Sequence, residues 1–490
     1  MKLSALAAAA GLAIDANTPD AADALVTGFA IDHRKVAPGT VFGAFPGTRF
    51  NGEDFIEAAI ASGAIAVVAR AQASVTGAAH VADPEPRRAF ARLAARFFQP
   101  VPETVVAVTG TNGKTSTVEL TRQVWRMAGH RAASIGTLGV TTADESVSTG
   151  LTTPDIVTFL ANMTGLAREG VTHVAYEASS HGLSQFRNEG LRVCAVAFTN
   201  LSRDHLDYHE TMDAYFAAKM RLFDEVVEIG GTAVVWADDA WSARAFEHVR
   251  QRGLRLLDVG EQADGDDRGI RLLARTPGQL GQTLEIRHRG QSHKIMLPLI
   301  GAYQAANALV SAGLVIASGG DAGETFAALA RLQPVRGRLE RAAITRSGAP
   351  VYVDYAHTPD ALEAAIAALR PHAKGRLITV FGAGGDRDEG KRPEMGRAVC
   401  VGSDLAIVTD DNPRGERADL IRAAILAGCE GAREIGDRRE AIRTAMAEAG
   451  AGDLVLIAGK GHEQGQIVGR GEDMRVLPFD DVAVARECVA

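Results

Sequence analysis

Aromatic residues are scarce, at 5% of 490 residues, and there are only four cysteines, Cys194, Cys400, Cys429 and Cys488. None of the four forms a Cys-x-x-Cys pair, which excludes a disulfide framework and a thiolate zinc site and points to a reducing compartment. An excess of basic charge is missing too: 52 Lys+Arg stand against 60 Asp+Glu, a formal net charge of −8. That balance argues against a general nucleic-acid or anionic-membrane binder, although one basic cleft for an anionic substrate is compatible with an acidic surface. No stretch approaches the roughly 18 uninterrupted apolar residues of a membrane helix, so no membrane insertion is expected. Lys2 followed by an Ala-rich apolar run imitates a short signal peptide, but the run reaches Asp15 without an export pattern, and a cytoplasmic protein is expected. Internal repeats and low-complexity tracts are absent.

The chain does have a 46% apolar fraction and 52 glycines, enough to bury real cores and to make many tight turns. At roughly 150 residues per domain, its length suggests about three domains. Short apolar runs at residues 105–108, 171–175, 195–198, 233–235, 351–353, 377–381, 405–408 and 454–458 read as buried strands. Amphipathic segments such as 115–127, 361–369 and 418–426 read as the helices between them. This alternation predicts an α/β protein with largely parallel sheets, interrupted by antiparallel strands within 269–297. Gln99-Pro100-Val101-Pro102 and Gln333-Pro334-Val335-Arg336-Gly337 read as linkers, giving expected domains of 1–100, 101–335 and 336–490.

The sharpest motif is Thr109-Gly110-Thr111-Asn112-Gly113-Lys114-Thr115-Ser116-Thr117, after a strand and opening a helix. Glycines let backbone N–H groups close on phosphate oxygens, and the helix N-terminus adds positive potential. Lys114 is placed to reach terminal phosphates and Thr115 to help hold Mg²⁺; Val108 stands at the first glycine position of the strict Walker pattern. Tyr176-Glu177-Ala178-Ser179-Ser180-His181-Gly182-Leu183 follows another buried strand, at the end where open α/β sheets bind ligands. Taken locally, Glu177 either caps the next helix or offers a carboxylate to a hard cation. The His-rich segment Asn200-Leu201-Ser202-Arg203-Asp204-His205-Leu206-Asp207-Tyr208-His209 follows a third strand, and any one of its histidines also has a structural reading.

With Gly301-x-Tyr303-x-x-x-Asn307, Gly337-Arg338-x-Glu340 and Asp354-Tyr355-Ala356-His357-Thr358-Pro359 added, these segments resemble the Mur ligases, ATP-dependent amide-forming enzymes of peptidoglycan stem-peptide synthesis. The resemblance spans essentially the whole chain. It implies a three-domain α/β architecture: a UDP-substrate domain, a central P-loop-type ATP domain with a mostly parallel sheet, and a Rossmann-like C-terminal domain for the incoming amino acid. Asp411-Asn412-Pro413-Arg414, Gly384-Gly385-Asp386-Arg387-Asp388 and Gly459-Lys460-Gly461-His462-Glu463 are similar to the branch that adds meso-diaminopimelate to UDP-N-acetylmuramoyl-L-alanyl-D-glutamate.

The same resemblance implies the site residues. Gly110, Thr111, Asn112, Gly113, Lys114, Thr115 and Ser116 would cradle ATP, with Asn307, Arg338 and Asp354 contacting the nucleotide. Thr115, Glu177 and His205 would serve Mg²⁺. Lys219, which local sequence alone reads as a solvated helix lysine, would be carbamylated to N6-carboxylysine and support a second Mg²⁺. Thr152, Thr153, Ser179, Gln185 and Arg187 would hold the muramyl dipeptide, and Ile31, His33, Thr48, Arg49 and Phe50 the uridine end. Arg387, Asp411, Asn412, Pro413, Arg414, Gly459 and Glu463 would receive diaminopimelate. His33, Gln304 and Trp236 depart from the family's usual Ser, Asn and Asn. A monomer acting on small molecules, with no nucleic-acid partner, is expected.

Four alternatives stand beside this reading. A lysine-adding Mur ligase would share everything but the selectivity segment, and a folylpolyglutamate synthase would share the core motifs. The Gly382-Ala383-Gly384-Gly385 run hints at a dinucleotide-binding oxidoreductase, but Arg387 replaces the last glycine of that fingerprint. A non-enzymatic ATP-sensing scaffold would not need Lys114, Glu177, His205 and Arg387 together.

Overall fold

The computed structural model describes residues 1–15, 23–47, 50–143, 145–147, 150–278 and 281–489; Thr48 and Arg49 lie outside the described residues. The chain forms two compact units, Met1–Leu257 with Gly313–Gly320, and Asp258–Ala312 with Asp321–Ala490.

The first unit begins with a four-stranded parallel sheet of Gly28–Ala30, Thr40–Gly43, Ala64–Ala69 and Ala79–Ala82, paired in chain order. Helix Pro86–Phe97 starts on a proline that needs no hydrogen-bonded N–H, and it buries Ala89, Phe90, Leu93 and Ala94 along one stripe. Phe90 meets Phe29 and Phe45 edge-on at centroid separations of 5.3 and 5.4 Å. The same core continues through Val105, Phe159, Tyr176 and Phe198, so the N-terminal sheet and the central sheet share one hydrophobic interior. Gln99-Pro100-Val101-Pro102 connects this helix to strand Thr104–Thr109.

The central sheet runs in the order Val227–Trp236, Val193–Phe198, Thr104–Thr109, His173–Glu177, Ala132–Gly136, Gly139–Thr141 and Ser146–Val147. The first five strands are parallel and the last two turn antiparallel. Strand Thr104–Thr109 lies between Val193–Phe198 and His173–Glu177, so the three loops that follow these strands share one edge. The strand expected at 171–175 runs instead from His173 to Glu177. The Val171 N–H is used to bond Leu166 O and close helix Ile156–Arg168, so Val171 is buried without joining the ladder.

In the second unit, Ile270–Gly278, Gly281–His288 and Gln291–Leu297 form the expected antiparallel meander. The six-stranded sheet has the order Glu340–Ile344, Pro350–Asp354, Leu454–Ala458, Leu377–Phe381, Leu405–Val408 and Arg433–Glu434, all parallel except the first. Apolar residues fill both faces, so the central strands read as continuous hydrophobic runs. The C-terminal ends of four neighbouring strands deliver Asp354, the 459–463 loop, the 384–387 loop and the 411–414 loop to one edge.

Candidate active site

The first unit builds its site on the loop between strand Thr104–Thr109 and helix Lys114–Met127. Gly110 has φ 148°, and a Cβ there would fall 1.9 Å from Thr199 Oγ1, so only glycine permits this close approach. The loop is tied to the neighbouring strand's exit. Thr111 N–H donates to Asn200 O at 2.9 Å and Asn112 N–H to Asn200 Oδ1 at 2.9 Å. Thr199 Oγ1 donates to Asn112 O at 2.7 Å, and Ser202 N–H to Thr111 Oγ1 at 3.0 Å. Lys114 Nζ folds back to Gly110 O and Thr111 O at 2.9 and 2.8 Å, while Thr115 and Ser116 are buried at the helix start.

Lys219 lies on helix Met212–Arg221 and is only 1% exposed. Its Nζ donates to Gly110 O at 2.7 Å and sits 4.2 Å from the centroid of the Tyr215 ring. Burial pushes its pKa well down, and the like charge of Lys114 adds to that. The solvated-lysine reading is therefore wrong: Tyr215 and the Gly110 loop seal this amine off.

Glu177 is the last residue of its strand and 2% exposed; its Oε1 accepts from Thr137 N–H at 2.7 Å. It does not cap the following helix, because Ser179 Oγ does so by accepting from Gly182 N–H at 3.0 Å. Thr153 Oγ1 donates to Glu177 O at 2.8 Å, and Thr152 Oγ1 lies 3.2 Å from Thr137 Oγ1. Arg187 donates to Thr153 O at 2.8 Å and to Gln185 Oε1 at 2.7 Å. Thr152, Thr153, Ser179, Gln185 and Arg187 thus form one connected group beside Glu177.

His205 takes φ 53° at the head of helix Leu206–His209, and its Nε2 is 3.5 Å from Asp204 Oδ2. Burial lowers its pKa to about 4 despite Asp204. His181, absent from the expected set, stands 4.9 Å from the His205 ring and 4.1 Å from Tyr208. Arg87, also outside the expected set, projects from helix Pro86–Phe97 over Phe45 at 5.0 Å and donates to Pro46 O at 3.1 Å. Burial lowers the Arg87 pKa, and Arg187 contributes like-charge repulsion. His181 sits inside a quoted motif, but Arg87 has no local signature.

At the N-terminal sheet, Asp32 caps the short helix His33–Lys35 and pairs with Arg34, whose hydrogen bonds hold the carboxyl down at about 2. His33 stacks on Phe55 at 4.4 Å with ring planes 2° apart, so it does not simply replace a serine hydroxyl. Ile31 and Phe50 are exposed apolar side chains.

In the second unit, Asp354 is buried and accepts from Leu339 N–H at 2.7 Å and Ala356 N–H at 2.8 Å. Burial raises its pKa, and these bonds with Arg338 work against the rise. The Arg338 guanidinium covers the Tyr355 ring at 4.5 Å, Gln304 Nε2 donates to Arg338 O at 3.0 Å, and Asn307 Nδ2 donates to Gln304 Oε1 at 3.3 Å. The Gln304 departure is thus accommodated within this chain of contacts.

The amino-acid motifs also converge. Arg414, at φ 52°, donates to Gly385 O at 2.9 Å, and a Cβ on Gly384 would lie 2.7 Å from its Nη1. A Cβ on Gly385 would meet Pro413 O at 2.0 Å. Gly459 has φ 121°, and a Cβ there would lie 2.5 Å from Asp411 Oδ2. Asn412 Nδ2 donates to Glu463 Oε2 at 2.8 Å; burial raises the Glu463 pKa, with Asn412 opposing. Arg387 leads from the 384–387 loop, and its charge is felt at Tyr355. Lys460, which the expected set omits, is fully buried among these residues.

Among the described residues, no three or more His, Cys, Asp and Glu side chains gather as a metal cluster. A hydroxyl, a carboxylate and phosphate oxygens form a different kind of donor set, and Thr115 and Glu177 are the residues that could supply the hydroxyl and the carboxylate of such a set.

The chain belongs to the Mur ligase family. Residues 25–104 match the Mur ligase family catalytic domain, 108–315 the Mur ligase middle domain and 337–461 the Mur ligase glutamate ligase domain. Its fold is the family's three-domain α/β architecture, and the family's members are ATP-dependent ligases. It is 60% identical over 488 residues to UDP-N-acetylmuramoyl-L-alanyl-D-glutamate–2,6-diaminopimelate ligase of Zymomonas mobilis subsp. mobilis, covering 100% of this chain and 99% of that protein. The enzyme of that name from Bradyrhizobium diazoefficiens is 53% identical, with 93% of each chain covered. A solved structure of a UDP-N-acetylmuramoyl-L-alanyl-D-glutamate–2,6-diaminopimelate ligase superposes with a TM-score of 0.73 at 33% identity, over 100% of this chain and 98% of that one.

Proposed function

We propose that this protein joins meso-diaminopimelate to the D-glutamyl γ-carboxylate of UDP-N-acetylmuramoyl-L-alanyl-D-glutamate, with ATP as the energy source. The γ-carboxylate oxygen attacks the γ-phosphorus and ADP leaves, giving an acyl phosphate. The amine of meso-diaminopimelate then adds to the acyl carbon, loses a proton, and phosphate departs as the amide forms. Because the phosphoryl oxygens carry dispersed charge, the protein's task is positioning and neutralisation.

Lys114 and the backbone N–H groups of residues 110–116 are assigned to the phosphates, and Asn307, Arg338 and Asp354 to the nucleotide. Thr115, Glu177 and His205 are assigned to Mg²⁺, which supplies charge compensation when bound. Lys219 is assigned as a carbamate: its buried amine is held toward the neutral form that adds CO₂, and the resulting anion would be attracted by Lys114. Thr152, Thr153, Ser179, Gln185 and Arg187 take the dipeptide, and Ile31, His33 and Phe50 the uridine end. The domains are placed at 1–100, 101–335 and 336–490. Among the described residues no helix is long and apolar enough to cross a membrane, and we assign a cytoplasmic monomer.

One observation carries the choice of amino acid. The distal centre of meso-diaminopimelate bears both a carboxylate and an ammonium, and the second unit offers a guanidinium at Arg414 and a carboxylate at Glu463 from adjacent loops. Lysine would leave the guanidinium without an anion. Phosphate release from ATP and the UDP-dipeptide, with meso-diaminopimelate or lysine as acceptor, tests the reading: release with the former alone is expected, and equal use of lysine refutes the selectivity.

A further inference from the structure

Lys460 lies between Gly459 and Gly461, both at positive φ, 121° and 56°, which turn its side chain inward until none of it is exposed. Its ammonium donates to Asn412 Oδ1 at 2.8 Å and Gly465 O at 2.9 Å, and it forms an ion pair with Asp411 Oδ1 at 3.4 Å. Asn412 Oδ1 accepts a second bond, from Ile467 N–H at 2.9 Å. Two obligate donors on that atom leave no choice for the amide: oxygen faces Lys460 and Ile467, so nitrogen must face the other way. There, Nδ2 donates to Glu463 Oε2 at 2.8 Å. Lys460 Nζ itself is 4.0 Å from that carboxylate. Burial lowers the Lys460 pKa, while Asp411 holds it up.

We propose that Lys460 is a positioning residue of the amino-acid site, locking the Asn412 amide so that its N–H holds the Glu463 carboxylate ready for the distal ammonium of the incoming diamino acid. This rests on the function proposed above. Lys460 does not touch the substrate; it acts through Asn412. Losing one hydrogen bond to a charged group weakens an interaction by about 10- to 100-fold.

The test uses the full-length protein in the phosphate-release assay, with melting curves for every variant. Lys460→Met keeps the length of the side chain and removes its donors. It should raise the KM for meso-diaminopimelate by about 10- to 100-fold and leave the KM for ATP within about twofold. Asn412→Ala should do the same, and the double variant should be no worse than the worse single one, because both break one relay. An unchanged meso-diaminopimelate KM in Lys460→Met, or single effects that multiply in the double variant, overturns the proposal. If Lys460→Met does not fold, Lys460→Arg keeps a cation beside Asp411 but redirects its donors; the same selective KM rise is expected, and its absence is equally fatal. Failure of the wild type to release phosphate with meso-diaminopimelate would instead overturn the function on which the inference rests.

Discussion

Lys114 and Lys219 donate to the same atom: the carbonyl oxygen of Gly110 receives both ammonium groups, at 2.9 and 2.7 Å. Two full positive charges on one carbonyl oppose each other, and Lys219 is the one cut off from water. The cost is relieved if Lys219 gives up its proton, and a neutral amine can attack CO₂, forming an N–C bond and releasing a proton to leave a carbamate. Lys219→Ala should therefore lose most ligase activity and recover part of it with added short carboxylates. Mass spectrometry of native protein in bicarbonate should find CO₂ on this residue; an active enzyme with Lys219 unmodified would refute the assignment.

Lys114, which we assign to the phosphates, also ties Thr111 O at 2.8 Å. Lys114→Ala should cost about 2–4 kcal/mol of phosphate binding, or roughly 30- to 1000-fold in kcat/KM for ATP. The melting temperature should move little, because the loop keeps its bonds to Asn200 and Ser202. Near-normal turnover would remove Lys114 from the phosphate site.

His462 packs against Tyr355 at 5.0 Å, and burial, aided by Arg338 and Arg336, lowers its pKa to about 3. The unfolded chain takes up a proton near pH 6.5 that the folded chain refuses. Stability should therefore fall as pH drops from about 6.5 toward 3 and be flat above that window. His173, held at about 4 chiefly by burial, works in the same direction. In thermal melts between pH 4 and 7, His462→Gln should have a shallower acid slope than the wild type. Identical slopes would count against the linkage.

Much of this could be read from the chain itself, and the gaps have physical causes. Strands Leu377–Phe381, Leu405–Val408 and Leu454–Ala458 and helix Ala418–Leu426 fall where the apolar pattern puts them, because strands buried on both faces are short continuous hydrophobic runs bounded by turns. Val171 misleads because it is buried by closing a helix, and hydrophobicity alone does not distinguish that from pairing in a sheet. Lys219 looks solvated in its own helix; Tyr215 and Gly110, 109 residues away for the latter, are what bury it. Lys460 was visible in its motif, but its role depends on Asn412, which is distant in sequence and adjacent only through the parallel sheet.

Arg414 is the residue we assign to the choice of amino acid. It follows Asn412 and Pro413 on a loop where Gly385 N–H bonds Asn412 O at 2.9 Å, and its own carbonyl accepts from Gly469 N–H at 2.8 Å, so its backbone is held on both sides. Its guanidinium donates through Nη1 to Gly385 O at 2.9 Å and Asn412 O at 3.4 Å, neutral acceptors that use only part of its donor fork. A carboxylate would accept two parallel bonds from that fork, a stronger and more directional pairing than any carbonyl offers. Lysine has no such carboxylate, so binding it would desolvate the guanidinium without return. Losing one charge-assisted pair should cost about 2–4 kcal/mol, or roughly 30- to 1000-fold in apparent affinity. Arg414→Ala should raise the KM for meso-diaminopimelate by that factor, leave the KM for ATP nearly unchanged and narrow the preference over lysine. A variant that keeps the wild-type preference would place the selectivity elsewhere, and the ligase chemistry would stand.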